Sequence, residues 1–149
     1  MIRRQKTLVK DVITVITFTA VAVVAMINLK DWINRSEAMR AMEHLGREVF
    51  KYRKENGRLP PESYVAGIKE DLEGGVRLGN LRYRALWIDF EATPDDILAY
   101  TKKDYHSSLL SDGYVVLRLD GRVQWMGKKE LEGLLAQQQS EFEIEMLQK

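Results

Sequence analysis

The sequence predicts an α+β fold: a long N-terminal helix packed on a small antiparallel β-sheet, with a C-terminal helix. Three observations predict it. Residues 12–29 form an apolar run without an ionisable group, a helical pattern of apolar residues follows directly, and short strand-like segments come next. We therefore expect a tip and membrane-spanning helix over residues 1–30, an amphipathic continuation over 31–57, and a sheet domain with a C-terminal helix over 58–149.

Composition limits the classes of function that fit the chain. Its 149 residues are 45% hydrophobic and 30% charged, which is typical of a globular domain. The chain contains no cysteine, so disulfides, thiolate nucleophiles and cysteine metal sites are excluded. Residues 1–30 hold five of the 23 Lys and Arg and one of the 22 Asp and Glu, which leaves 18 basic and 21 acidic residues on the rest. This acidic excess argues against nucleic acid as a partner.

The apolar run has the length and composition of a membrane-spanning helix. Its 18 residues would extend about 27 Å as a helix, close to the roughly 30 Å of a bilayer core. Transfer of its Val, Ile, Leu and Phe side chains into lipid contributes roughly 3 to 6 kcal/mol. These ten predicted anchor residues are Val12, Ile13, Val15, Ile16, Phe18, Val21, Val23, Val24, Ile27 and Leu29. Trp32 follows closely, where an aromatic residue can lie at the lipid interface.

Charge predicts the direction of insertion. Arg3, Arg4, Lys6 and Lys10 precede the run, so the positive-inside rule predicts a cytoplasmic N-terminus and an exported body. The alternative is a cleaved secretory signal, because small residues lie in the second half of the run. The run is longer than a usual signal core and a helical pattern continues after it, so we favour a retained anchor in the lipid bilayer.

A second helical pattern begins where the apolar run ends. Apolar side chains recur at spacings of four, three, four and three residues, at Ala38, Met42, Leu45, Val49 and Tyr52. This stripe predicts an amphipathic helix that packs on a surface within the chain. Gly57 is suited to the C-terminus of the helix, and Pro60 and Pro61 form a turn through which the helix does not continue.

After residue 61 the chain changes to short segments rich in aromatic and β-branched residues. Turn residues separate these segments, as in one antiparallel sheet. The predicted strands cover residues 82–88, 97–101, 113–119 and 122–126. A second amphipathic helix follows, with Leu131, Leu134, Leu135, Gln138 and Phe142 at helical spacing.

Two Asp-Gly pairs mark turns. Asp112-Gly113 marks the start of a strand, and Asp120-Gly121 lies between two apolar segments. A two-residue Asp-Gly loop is the preferred chemistry of a type I′ hairpin, which needs positive φ at both residues. The predicted register pairs Leu119 with Arg122, Arg118 with Val123, Leu117 with Gln124 and Val116 with Trp125. Neither aspartate has a neighbour in sequence that suggests acid–base chemistry.

This layout resembles that of type IV pilins and type II secretion pseudopilins. The shared features are a basic tip, a spanning helix that continues as an amphipathic helix, and a Gly-Arg-Leu-Pro-Pro loop before a small sheet. Residues 95–135 are also similar to the C-terminal segment of prepilin-type proteins, which carries a His, a spacer, Asp-Gly and a Trp. The matching positions are His106, Asp120, Gly121 and Trp125. The resemblance implies a bacterial cytoplasmic-membrane protein with a periplasmic domain and pilin-like partners.

The sequence departs from the family pattern at two places. The spacer between His106 and Asp120 is 13 residues, longer than in the family, and Arg122 stands where a second His is usual. The Gly-Phe-Thr-Leu-x-Glu start that prepilin peptidase cleaves is matched only at Thr7 and Leu8. We therefore expect a pseudopilin relative that stays anchored.

Three classes of function are considered. The leading prediction is a non-catalytic structural subunit or accessory protein of a secretion or pilus-type assembly. The alternative is an anchored ligand-binding or sensing module with an aromatic groove, although packing is the simpler explanation of its candidate residues. Those residues are Tyr64, Tyr83, Trp87, Tyr100, Tyr105 and Tyr114.

An enzyme is poorly supported by the sequence. The chain has two His and no Cys, and no motif brings together a nucleophile, a base and an orienting group. Residues 72–80 contain three glycines without phosphate-loop spacing and are predicted to be a flexible loop. We accordingly predict no catalytic residue, no metal and no cofactor.

Overall fold

The structure, a computed structural model, describes residues 3–88, 91–107 and 109–148. Residues 1 and 2 of the predicted tip lie outside the described residues. The helices are α1 (Arg3–Asn56), α2 (Glu62–Asp71), α3 (Lys128–Gln138) and α4 (Glu141–Leu147). The strands are β1 (Arg82–Tyr83), β2 (Ile97–Lys103), β3 (Gly113–Arg118) and β4 (Val123–Gly127). Within these residues the strands form one antiparallel sheet in the order β1-β2-β3-β4.

The sheet lies between two helices, which confirms the predicted α+β fold. Val115 and Leu117 of β3 belong to the core cluster that includes the apolar stripe of α1. Val116, between them, faces the other way and clusters with Leu131 and Leu135 of α3. Successive residues of a strand point to opposite faces, so one strand contributes to both cores. The body therefore has three layers: α1, the sheet and α3.

α1 is one uninterrupted helix of 54 residues, about 81 Å long. Its predicted stripe is buried against the sheet at Ala38, Met42, Leu45 and Val49. The helix ends where the sequence predicts, because Gly57 takes a φ of 71° and its N–H donates to the Arg53 carbonyl at 2.8 Å. Glycine adopts this left-handed conformation without the steric cost that a side chain would add.

The segment between Pro61 and β1 is more regular than the sequence indicates. α2 follows Pro61 directly, and the predicted flexible loop 72–80 contains a 3₁₀ turn at Gly75–Leu78. The carbonyl of the buried Leu78 accepts a hydrogen bond from the Thr101 hydroxyl on β2. Tertiary contacts therefore order a segment whose local composition favours a loop.

The predicted strand 82–88 is wrong over most of its length. Arg82 and Tyr83 pair with β2, but Ala85–Trp87 forms a single 3₁₀ turn. The chain leaves the sheet at Arg84, whose φ of −107° and ψ of 17° are not extended. The Arg84 side chain is buried at this point, where it contacts Glu143 of α4.

The β3–β4 hairpin forms, but its predicted type I′ turn is wrong. Gly121 has a φ of 92°, whereas Asp120 lacks the positive φ that a type I′ turn requires there. The Gly121 N–H donates to the Arg118 carbonyl at 3.0 Å, and the Arg118 N–H donates to the Arg122 carbonyl at 2.9 Å. This is the other common hairpin connection, a three-residue loop that ends in a positive-φ glycine.

The longer loop shifts the hairpin register by one residue. Trp125 lies opposite Val115 instead of the predicted Val116. The cause is Leu119, which is buried and whose N–H donates to the Asp96 carbonyl at 2.8 Å. Leu119 is therefore part of the loop and the core, and does not pair within the sheet as predicted.

The predicted C-terminal helix is interrupted. α3 ends at Gln138, and α4 begins after Ser140, whose hydroxyl oxygen accepts the Glu143 N–H at 3.2 Å. Serine is among the residues preferred at a helix N-cap, so it supports a new helix start. Leu135 of the predicted stripe is buried on α3, whereas Phe142 is exposed on α4.

Candidate functional site

The N-terminal half of α1 lies outside the packed body. The ten predicted anchor residues are all exposed, and Phe18 is 78% exposed. By length and composition, this helix could cross a membrane. Two of its polar side chains bond to the helix backbone: the Thr14 hydroxyl donates to the Lys10 carbonyl at 2.8 Å, and the Asn28 amide donates to the Val24 carbonyl at 2.9 Å. Such internal bonds lower the cost of placing polar groups in lipid.

A buried carboxylate fixes the start of the body to α1. Asp31 follows the apolar run by two residues, and its Oδ2 accepts the backbone N–H groups of His106 at 3.0 Å and Ser107 at 2.8 Å. Charge-assisted hydrogen bonds of this kind compensate for the removal of a carboxylate from water. The sequence indicates Asp31 only as a flank of the apolar run, because its partners are 75 and 76 residues away.

Aromatic contacts extend this attachment. The Arg35 guanidinium lies 4.3 Å from the centroid of the Trp125 ring, and the rings of Tyr105 and Trp125 are 5.6 Å apart. A cation over an indole face is attracted by the ring quadrupole. Burial raises the pKa of Tyr105 to about 12, so its phenol stays neutral at physiological pH. We call this group the helix–loop corner; it consists of Asp31, Arg35, Tyr105, His106, Ser107 and Trp125.

The first Asp-Gly pair supports the helix–loop corner. An oxygen of the Asp112 side chain accepts the Tyr105 N–H at 2.6 Å. Gly113 pairs with Gly127 at the end of the hairpin, and a Cβ on Gly113 would lie 2.4 Å from the Trp125 ring. Glycine is therefore required at 113 for the indole to lie across the strand.

The residues of the predicted family motif do not come together. His106 and Trp125 belong to the helix–loop corner, where His106 contributes its backbone N–H and its side chain is exposed. Gly121 lies at the other end of the hairpin, where a Cβ would be 3.6 Å from the Phe50 ring. Phe50 is about 28 Å along α1 from Asp31. The motif residues thus occupy opposite ends of the sheet.

Asp120 has a clear place in the hairpin loop. Its Oδ1 accepts the Arg122 N–H at 2.9 Å, and its carboxylate pairs with the Arg122 guanidinium, which also pairs with Asp95. The Arg122 backbone N–H, followed by the guanidinium, lowers the pKa of Asp120 from its ordinary value. The carboxylate is therefore ionised at neutral pH, and its bonds to Arg122 stabilise the loop between β3 and β4.

An apolar groove of about 700 Å³ lies near the far end of α1. We call it the distal groove; its lining includes Arg53, Leu59, Pro60, Pro61, Tyr83, Leu86 and Ile88. The Tyr83 hydroxyl donates to the Pro60 carbonyl at 2.9 Å, and burial raises the pKa of Tyr83. Leu86 is 83% exposed at its edge.

Most of the aromatic residues predicted for a groove have packing roles. Tyr83 lines the distal groove, whereas Tyr100 and Tyr114 contact each other on the α3 face with ring centroids 6.0 Å apart. The Tyr64 ring lies 4.6 Å from that of Tyr52. Among the described residues, these aromatics do not form one site.

Sequence reasoning missed a buried ion pair that ties α4 to the sheet. Arg84 and Glu143 are 3% and 0% exposed, with Nε to Oε1 at 2.7 Å and Nη2 to Oε2 at 3.0 Å. Nη1 of Arg84 also donates to the Ile97 carbonyl at 2.7 Å. Glu143 lies between two other glutamates in a short helix where acidic and apolar residues alternate, so no pattern in the sequence distinguishes it.

No three His, Asp or Glu side chains in residues 3–88, 91–107 and 109–148 are grouped so that they could hold a metal ion. A scan against protein-family models, a search of curated proteins and a search of solved structures each found no match. A functional interpretation therefore depends on the exposed apolar half of α1, the helix–loop corner and the distal groove.

Proposed function

We propose that the protein is a membrane-anchored, non-catalytic structural subunit or accessory protein of a secretion or pilus-type assembly, similar in layout to pseudopilins. The observation that carries the proposal is the division of α1 into two halves. The first half is apolar and exposed, and the second half is packed against the sheet. A continuous helix of this kind holds a folded body at a fixed distance from the bilayer.

The anchor lies in the bacterial cytoplasmic membrane, with the N-terminus cytoplasmic and the body periplasmic. Arg4, Lys6 and Lys10 on the N-terminal side support this direction, because basic residues near a span are retained in the cytoplasm. The 18 basic residues of the body do not oppose export, because a domain of this length translocates largely regardless of its charge.

The partners are other pilin-like subunits or proteins of the secretion assembly, which contact the anchor within the membrane. Threonine and alanine residues interrupt the larger apolar side chains of the run. Small residues allow a neighbouring helix to approach closely in lipid, where packing rather than water exclusion drives association.

A photo-crosslinking amino acid at Val24, introduced into the full chain in cells that naturally produce it, tests this proposal. We expect an adduct with a second single-pass protein of similar layout, identified by mass spectrometry. The matched control is the same amino acid at His44, which is exposed on the body half of α1 and should give less of that adduct. Recovery of the monomer alone from positions throughout the apolar run would contradict the proposal and favour an anchored binding module that uses the distal groove.

A further inference from the structure

The loop between β2 and β3 lies at the level where α1 leaves its apolar run. Its attachment point, Asp31, follows Leu29 by two residues, which is about 3 Å along the helix. The interfacial layer on each side of a bilayer core is roughly 5 to 7 Å thick. When α1 spans a bilayer, the backbone of His106 and Ser107 is therefore held at the height of this layer.

The burial of side chains along α1 supports the placement of this loop at the height of the interfacial layer. Among the described side chains of residues 4–30, Asn28 is the one that is not exposed, and its side-chain oxygen is fully buried. Asn28 precedes Asp31 by one helical turn on the same face. The body therefore covers α1 down to a position inside the apolar run.

Two large apolar side chains are exposed at this level. Leu109 is 79% exposed, and it follows Ser107 closely enough that their Cα atoms are at most about 7.6 Å apart. Trp32, next to Asp31 on α1, is 60% exposed. A single exposed leucine needs no explanation, but here an exposed leucine and an exposed tryptophan both lie close to the end of an apolar span.

We propose that this loop is a second contact with the lipid bilayer, in which Leu109 inserts into the interface beside Trp32. The inference rests on the proposed membrane anchor and adds a fixed orientation to it. Asp31 holds the loop at the required depth through its two backbone hydrogen bonds. Two contacts, the helix and the loop, restrict the tilt of the body and direct the distal groove away from the membrane.

The absence of native cysteine allows a direct test with a single probe. The full-length Leu109→Cys variant is labelled with an environment-sensitive fluorophore and reconstituted into phosphatidylethanolamine and phosphatidylglycerol vesicles that contain spin-labelled lipid. The matched control is Leu86→Cys. Leu86 is about as exposed as Leu109 and lies near Arg53, which is about 33 Å along α1 from Asp31. Phe18→Cys reports on the middle of the span.

We expect lipid spin labels near the headgroup to quench the probe at position 109 several-fold more strongly than the probe at 86, and deep spin labels to quench the probe at 18. Equal, weak quenching at 109 and 86 with strong quenching at 18 would overturn the loop contact and leave the anchor intact. Weak quenching at all three positions would overturn the anchor and the loop contact together.

Discussion

Arg84 and Glu143 show how much a single buried pair can control at the residue scale. Both side chains are removed from water. The cost of burying their charges is offset by the two hydrogen bonds between them and by the bond from Arg84 to the Ile97 carbonyl. A buried ion pair adds little compared with an apolar pair of similar size, but loss of one member leaves the other charge without compensation. The pair therefore acts mainly to specify where α4 docks.

Glu143→Gln removes the negative charge while it preserves the shape of the side chain. We expect the free energy of unfolding to fall by about 3 to 5 kcal/mol, because the Arg84 guanidinium remains buried and unpaired. Urea unfolding of the full chain in detergent measures this loss. Glu141→Gln on the same helix is the control, and its exposed side chain should change the stability by about 0.5 kcal/mol or less. Equal effects of the two substitutions would show that the buried pair does not hold α4.

The β3–β4 hairpin depends at the element scale on one backbone conformation. Gly121→Ala places a Cβ at a φ of 92°, so we expect a loss of about 1 to 2 kcal/mol. Gly133→Ala is the matched control, because Gly133 lies inside α3 with open space around it and should gain about 0.5 to 1 kcal/mol. Thermal unfolding of the two variants checks the opposite signs. A shift of the same sign and size in both would contradict the assigned loop.

The elements that were predictable from the sequence are those set by local pattern. α1 has an apolar run, an amphipathic stripe and the Gly57 stop within its own residues, so its course and end follow from them. The hairpin register depended instead on Leu119, whose N–H bonds to Asp96 more than 20 residues earlier. No local pattern indicates that Leu119 enters the core, so the predicted hairpin register is wrong by one residue.

The candidate site was predictable only in part, for the same reason. Trp32 and the apolar run identify directly the part of α1 that could cross a membrane. The attachment of the loop to Asp31 joins residues about half the chain apart, and it requires the sheet to bring the loop to α1. The neighbours of Arg84 in sequence predict a strand, whereas its side chain contacts Glu143 of α4.

At the scale of the whole molecule, α1 connects two different surfaces. The helix–loop corner lies where the apolar run ends, and the distal groove lies near Gly57 at the other end of the packed half. The uninterrupted helix fixes the distance between them, so in the proposed anchored protein it also sets how far the groove stands from the membrane. In the proposed structural subunit, this arrangement would present the body to its neighbours at a constant height.

Labelling of single-cysteine variants in spheroplasts tests whether α1 crosses the membrane and carries the body on the periplasmic side. The variants are Arg4→Cys before the span and Leu86→Cys on the body, and the reagent is a maleimide that does not cross membranes. We expect the protein to stay with the membrane fraction, Leu86→Cys to be labelled in intact spheroplasts, and Arg4→Cys to be labelled only after permeabilisation. Protection of Leu86→Cys in intact spheroplasts would contradict the proposed orientation, and release of a shortened soluble body would contradict the retained anchor.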